Sequence, residues 1–223
     1  MSPTSGGKPA RLEVVIEAGD KKVFASALDW PGWSRSAKTR EEAIERLLEY
    51  APRYAPVAKL ARLDFADAFD VEVAQRLPGG SGTDFGVPSR IHEPDTKLVT
   101  AAEARRLAAL VTAAWTTFDR VAAGAPAELR KGPRGGGRDR DKMVGHVIEA
   151  DWYYARELGI KGKQPAPGDR AAAEASRNAV LEILGRPSDG KPLADRTWTQ
   201  RYAARRIAWH ALDHAWEMED RSA

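Results

Sequence analysis

Alternation of apolar and polar residues predicts a β-hairpin near the start of the chain. Leu12, Val14 and Ile16 occupy every second position, which is the period of a half-buried strand. A turn-forming segment at 18–21 follows, and a second apolar run at 23–28 supplies the other strand. Two short apolar runs joined by a tight polar turn are typical of a hairpin.

Turn and helix signals extend this hairpin into a small α/β unit. Pro31 and Gly32 indicate a turn that leads into a third short strand. Thr39 stands three residues before Glu42, which is the spacing of a capping box, so a helix is predicted to begin there. The segment 70–74 is expected to add one more strand.

After residue 100 the hydrophobic period changes to that of helices. Apolar residues recur every three or four positions in four segments, at 101–123, 141–159, 171–184 and 199–221. The preceding segment 85–100 contains two prolines and has no period, so we interpret it as the crossing between two domains. Four amphipathic helices with loops between them predict a four-helix bundle.

The predicted fold class is therefore α+β, with a small N-terminal antiparallel sheet carrying one or two helices and a C-terminal four-helix bundle. The predicted boundaries are a disordered leader at 1–10, an α/β domain at 11–95 and the helical domain at 96–223. The chain has 223 residues, of which 43% are hydrophobic, and this is enough to build a core in each domain.

Composition excludes several kinds of site. The sequence contains no cysteine, which removes disulfides, thiolate nucleophiles and thiolate metal ligands. The 35 basic and 32 acidic residues nearly balance, which argues against nucleic acid as a partner. No segment reaches the ~20 apolar residues of a membrane span, and no apolar signal core opens the chain, so a cytoplasmic protein without a membrane partner is expected.

Three of the four histidines lie in the helical half. His210 and His214 are four residues apart, so one helix places both on the same face. His146 falls on the second predicted helix, beside its apolar face. Each could be a core histidine satisfied by a hydrogen bond, but three converging imidazoles would form a divalent-metal site. We favour the metal interpretation, with zinc or nickel as the ion, and expect His92 to lie elsewhere and to tolerate alanine.

Charged residues near these histidines offer supporting roles. Arg206 lies one helical turn before His210 and could hold the carboxylate of a thiol cofactor or of a substrate. Four acidic residues could orient an imidazole or move a proton, although a solvated face is the better interpretation of each: Glu149, Asp151, Asp213 and Glu217. No catalytic residue is assigned from the sequence.

A second face of the last predicted helix is aromatic. Tyr202, Trp209 and Trp216 recur every seven residues, so they lie on one side of the helix. Trp30 and Trp33 could cover this stripe within the chain, and a homodimer is the alternative.

The loop 130–140 combines five basic residues with glycines. A phosphate or RNA grip is one interpretation of this composition. The loop has no aromatic residue, and the acidic Asp139 within it and Asp141 just after it dilute its positive charge. A flexible solvated connection is therefore the better prediction.

The segments 27–33 and 38–47 carry a family resemblance. An Asp-x-Pro-Gly turn in the first precedes a Thr-x-x-Glu-Ala helix start in the second. This order resembles the HicB-like fold over about the first third of the chain. In that family the domain acts as an antitoxin against a small RNA-cleaving partner, so the resemblance implies a surface that contacts a protein.

The segments 145–154 and 205–217 carry a second resemblance, to the DinB-like superfamily of four-helix bundles. In that superfamily one histidine of the second helix and an H-x-x-x-H pair in the last helix bind a divalent metal. The matching positions are His146, His210 and His214. Some members are thiol-dependent S-transferases or isomerases that use mycothiol, bacillithiol or glutathione.

Two functions follow as expectations. The first is a metal-binding protein that acts as a thiol-dependent S-transferase or a metal-dependent hydrolase on a small molecule, since a metal with an open position can activate water or a thiol. The second is a non-enzymatic binding or regulatory module, in which the HicB-like domain contacts a protein partner.

Overall fold

The four strands of the N-terminal sheet are β1 (Ala10–Ala18), β2 (Val23–Ala27), β3 (Ser34–Ala37) and β4 (Phe69–Pro78). Their order in the sheet is β3-β2-β1-β4. The β1–β2 and β2–β3 pairs are antiparallel, as the hairpin pattern predicts. The fourth strand pairs with β1 in parallel, with a register shift at Val14/Val15. The sheet is therefore mixed, and the prediction of a purely antiparallel sheet is wrong.

Helices inserted between β3 and β4 explain the parallel pair. α1 (Arg40–Glu49) begins at the predicted capping box, in which Glu42 N–H donates to the Thr39 hydroxyl at 3.2 Å. α2 (Ala51–Leu60) follows directly, with its prolines in and after the first turn. Because this helical crossing returns the chain to the end of the sheet where β1 starts, β4 runs parallel to β1. A short helix, α3 (Ser81–Phe85), follows β4.

Trp33 is the centre of the core in this N-terminal part. Its side chain is fully buried, and its indole N–H donates to the Leu47 carbonyl oxygen at 2.8 Å. Its ring stacks on Tyr54 with centroids 5.4 Å apart, and contacts Phe65 and Phe69 at 5.2 Å each. Trp33 is therefore a core residue of its own sheet.

The second half contains a short 3₁₀ helix (Glu93–Thr96) and four long helices: α4 (Ala101–Gly124), α5 (Arg140–Glu157), α6 (Arg170–Leu184) and α7 (Gln200–Ser222). Their ends lie within two residues of the predicted ones. α4 and α5 each pack against both α6 and α7. Among the described residues, no helix is both long and apolar enough to cross a membrane.

The computed structural model describes residues 8–132, 136–166 and 168–222. It divides into two compact units. The first comprises the residues up to 29 and residues 33–90, and the second comprises residues 30–32 and the chain from residue 91 onward. The predicted leader falls mostly outside the described residues, since its positions 1–7 are not described and β1 already begins at its last position. The stripe residues Tyr202, Trp209 and Trp216 are each less than 5% exposed.

The segment interpreted as a domain crossing is anchored to the helical unit. Asp95 is 3% exposed and pairs with the equally buried Arg205 of α7, with Nη2 and Oδ2 2.6 Å apart. The same carboxylate oxygen accepts the backbone N–H of His92 at 2.8 Å. His92 is 1% exposed, so the expectation that it tolerates alanine without a loss of stability is not supported, because the change would leave a cavity.

Candidate metal centre

Three histidines from α5 and α7 meet in the helical unit. One nitrogen of each of His146, His210 and His214 lies within 4.8 Å of those of the other two. The Nε2 atoms of His146 and His210 are 3.2 Å apart. The ring centroids are separated by 5.1 Å for His146–His210, 5.0 Å for His146–His214 and 4.6 Å for His210–His214. The structure thus brings together all three residues that the sequence nominated.

The shortest of these distances suits shared coordination. Two nitrogens bound tetrahedrally at about 2.0–2.1 Å from one zinc ion lie about 3.4 Å from each other. A hydrogen bond between two neutral imidazoles would also explain the 3.2 Å separation of His146 and His210. That bond alone, however, gives no reason for His214 to present a third nitrogen at the same point.

Burial favours the neutral form of His146 and His210. His210 is 7% exposed, and its burial, together with the nearby His214 and Arg206, holds its pKa well below 6.5. Burial and the Arg138 charge also lower the pKa of His146. A neutral imidazole is the form that binds a metal. His146 and His214 are partly exposed, so solvent can reach the side of the cluster that they form.

The depth of the two α7 histidines differs from the helical-wheel expectation. A helical wheel of the α7 sequence places His214 inside the apolar stripe of Ala203, Ile207, Ala211 and Met218, and His210 at the edge of that stripe. In the structure, however, His210 is the more deeply buried of the two. The reason is that α7 is buried almost all round between Tyr202 and Leu212. In such a helix the edge of the apolar stripe is not the edge facing solvent.

Glu217 orients His214. Its Oε2 lies 3.0 Å from Nδ1 of His214, and its Oε1 accepts from Arg221 Nη1 at 2.8 Å. The hydrogen bond with His214 is the largest cause that lowers the pKa of Glu217, and the hydrogen bond with Arg221 lowers this pKa further. A carboxylate on Nδ1 fixes the tautomer that carries its proton there, which leaves Nε2 with a free lone pair. Of the four acidic residues named from the sequence, Glu217 has the geometry to orient an imidazole.

Changing Glu217 to Gln is therefore expected to weaken metal binding about 10- to 100-fold, because the neutral amide no longer fixes the His214 tautomer. Calorimetric titration with zinc would measure this. Glu182→Gln is the matched control, since Glu182 is exposed on α6 and pairs only with Arg186 at 3.8 Å. Equal zinc affinity in wild type and Glu217→Gln would show that Glu217 does not position a ligand.

Asp151 has a different role from the one considered for it. Its Oδ1 accepts the indole N–H of Trp115 at 3.1 Å, and its Oδ2 accepts Arg177 Nε at 3.0 Å. Arg177 also pairs with Asp119 at 2.9 Å. Burial raises the pKa of Asp151 to about 6, although Arg177 opposes the shift. Asp151 thus joins α4, α5 and α6 in a buried polar network, and both its oxygens are engaged away from the histidines.

The raised pKa of Asp151 predicts a pH-dependent stability. Its unfolded value is 3.8 and its folded value about 6, so the folded state binds more protons between those values. The stability contribution is fully present below about pH 4 and is lost as the pH rises through 6, by up to about 3 kcal/mol. Urea unfolding of wild type and Asp151→Asn from pH 4 to 7 would test this. The free energy of unfolding of wild type should fall, relative to that of the non-titrating Asp151→Asn, as the pH rises. A constant difference would contradict it.

Two further residues near the cluster were not nominated as site residues by the sequence. The Tyr154 ring meets the His210 ring edge-on, with centroids 5.6 Å apart. Tyr154 follows His146 by eight residues, so their shared helix face was an available signal. Arg138 acts on both His146 and His210 through its charge. It lies in a loop, where no periodicity could have pointed to it.

Part of the glycine-rich loop that contains Arg138 is tied to the end of α7. Arg130 N–H donates to the Arg221 carbonyl oxygen at 2.9 Å, and Arg221 Nε donates to the Arg130 carbonyl oxygen at 2.7 Å. Lys131 pairs with Asp139 across the loop. Residues 133–135, at its middle, lie outside the described residues. The described ends of the loop are therefore hydrogen-bonded to the end of α7 and ion-paired to each other.

No protein-family model matches this chain, and comparisons with curated proteins and with solved structures find no significant match.

Proposed function

We propose that the helical unit binds one divalent metal ion, zinc or nickel, through His146, His210 and His214. The observation that carries this proposal is the meeting of three imidazole nitrogens within 4.8 Å of one another. The lowered pKa values of His146 and His210 support it, because both rings are neutral near pH 7 and need lose no proton to bind an ion. The resemblance to the DinB-like superfamily supports the same three residues, together with a four-helix-bundle arrangement of α4–α7.

The proposed metal centre has the ligand number of a catalytic zinc site. Three histidine ligands leave one position of a tetrahedral ion for water or substrate, whereas a purely structural zinc site is closed by four protein ligands. The partial exposure of His146 and His214 supports access to that position. Because the chain has no cysteine, the nucleophile would be a metal-bound water or the thiol of a small cofactor. The proposed reactions are accordingly a hydrolysis or a thiol-dependent S-transfer on a small molecule.

Metal stoichiometry tests the proposal. The purified protein would be stripped with a chelator and titrated with zinc and with nickel, and one ion per chain is expected. His214→Ala should lose this stoichiometric binding because it removes one ligand. His92→Gln is the control, since His92 lies outside the cluster and the longer amide side chain is polar and close to histidine in volume. A wild-type protein that stays metal-free in excess zinc and nickel would overturn the proposal and favour the protein-binding module.

A further inference from the structure

Arg206 is held at one side of the histidine cluster by two aromatic rings. Its guanidinium carbon lies 5.3 Å from the centroid of Tyr154 and 4.7 Å from that of Trp209. Both distances are within the range of a cation–π contact. Arg206 precedes His210 by one helical turn, and the Tyr154 ring contacts both residues. The guanidinium is therefore fixed beside the proposed metal position by groups that cannot neutralise it.

Arg206 differs from the other arginines of α7 in its partners. Arg201 pairs with Glu103, Arg205 with Asp95 and Arg221 with Glu217. For Arg206, in contrast, no carboxylate of the described residues lies within ion-pair distance, and its buried Nη1 has no hydrogen-bond partner among them. A buried guanidinium nitrogen without an acceptor is unfavourable. An acceptor supplied by a ligand would remove that penalty.

The charges around His210 also favour an anion. Arg206 and Arg138 both act on His210 with positive charge. Tyr154 stays neutral, because burial raises its pKa to about 12. Two acidic groups, Glu149 and Glu217, act on His146 with negative charge, but Glu217 is already engaged by His214 and Arg221. Three neutral ligands would leave the full charge of a bound ion uncompensated.

We propose that Arg206 is the carboxylate-binding residue of this site, and that its ligand is a small organic carboxylate whose remaining part extends towards the metal position. The planar guanidinium donates two parallel hydrogen bonds to a carboxylate. The inference rests on the proposed function for the second contact, at the metal, but the arginine contact exists with or without the ion. A single charged side chain with one unpaired buried donor fits a monoanionic carboxylate better than a phosphate dianion.

Binding of benzoate, measured by ligand-observed NMR titration, tests this assignment. The neutral isostere benzamide is the ligand control, because it keeps the ring and removes the charge. The proteins would be wild type, Arg206→Met and the control Arg186→Met, whose arginine is exposed and pairs only with Glu182. Each would be measured after chelation and again with zinc. We expect Arg206→Met to weaken benzoate binding at least about tenfold. Arg186→Met should bind benzoate as wild type does, and the affinity for benzamide should be the same in all three proteins.

The outcomes separate this inference from the proposed metal site. Zinc binding by a wild-type protein whose benzoate affinity is absent, or equal to that of Arg206→Met, would overturn the carboxylate site and leave the metal proposal intact. Arg206-dependent benzoate binding by a protein that binds no zinc would support the carboxylate site and overturn the metal proposal. Tighter binding of inorganic phosphate than of benzoate would overturn the choice of carboxylate. If Arg206→Met fails to fold, Arg206→Lys replaces it, and an unchanged benzoate affinity in that variant would overturn the proposal.

Discussion

Zinc is expected to raise the free energy of unfolding of the wild-type protein by about 2.7 kcal/mol at a free concentration one hundred times its dissociation constant, and by about 4 kcal/mol at one thousand times. The reason is that the three imidazoles meet only in the folded chain, since His146 and His210 belong to different helices. Urea unfolding followed by circular dichroism, with and without zinc, would measure the gain.

His210→Ala is expected to abolish this gain, because it removes the most deeply buried of the three ligands. Without zinc, the same variant should be destabilised by the cavity that it leaves, so its stability must be compared with its own metal-free state. Tyr153→Ala is a suitable control, since Tyr153 is 53% exposed on the same unit and is not part of the cluster. An equal gain from zinc in wild type and His210→Ala would show that the stabilisation comes from another site.

The helices of this chain could be predicted because their signals are local. Thr39 and Thr100 each accept a hydrogen bond from the backbone N–H of a glutamate three residues later, and this spacing is visible in the sequence. The i, i+4 pair His210 and His214 is equally local, and so is its common helix face. The nomination of His146 as the third residue rested on the expected packing of two helices, which the structure has.

The features that escaped prediction depend on contacts between distant segments. The parallel pairing of β4 with β1 follows from the path of the two helices between β3 and β4, and no residue within β4 encodes its direction. Arg205 and Asp95 are 110 residues apart in sequence, and nothing local distinguishes this arginine from its neighbour Arg206. The greater burial of His210 likewise depends on which helices cover α7, which a single-helix wheel does not contain.

The Asp95–Arg205 pair is expected to be among the most sensitive positions of the helical unit. Asp95→Asn should lower the free energy of unfolding by about 3–5 kcal/mol, because it removes the carboxylate charge that lies 2.6 Å from the buried Arg205 guanidinium. The amide oxygen can still accept the His92 N–H, so the loss reports mainly on the ion pair. Asp189→Asn is the matched control, since its pair with Lys191 is exposed and its loss should change the free energy of unfolding far less.

A double-mutant cycle separates the value of the pair from the penalty of an unpaired charge. Arg205→Met alone should also be strongly destabilising, because it strands the buried carboxylate of Asp95. The double variant Asp95→Asn with Arg205→Met strands neither charge, so it should lose clearly less stability than the two single losses added together. Urea unfolding of the four proteins measures the coupling. Additive losses, or a loss below about 1 kcal/mol in Asp95→Asn, would mean that the pair does not hold the segment before α4 against α7.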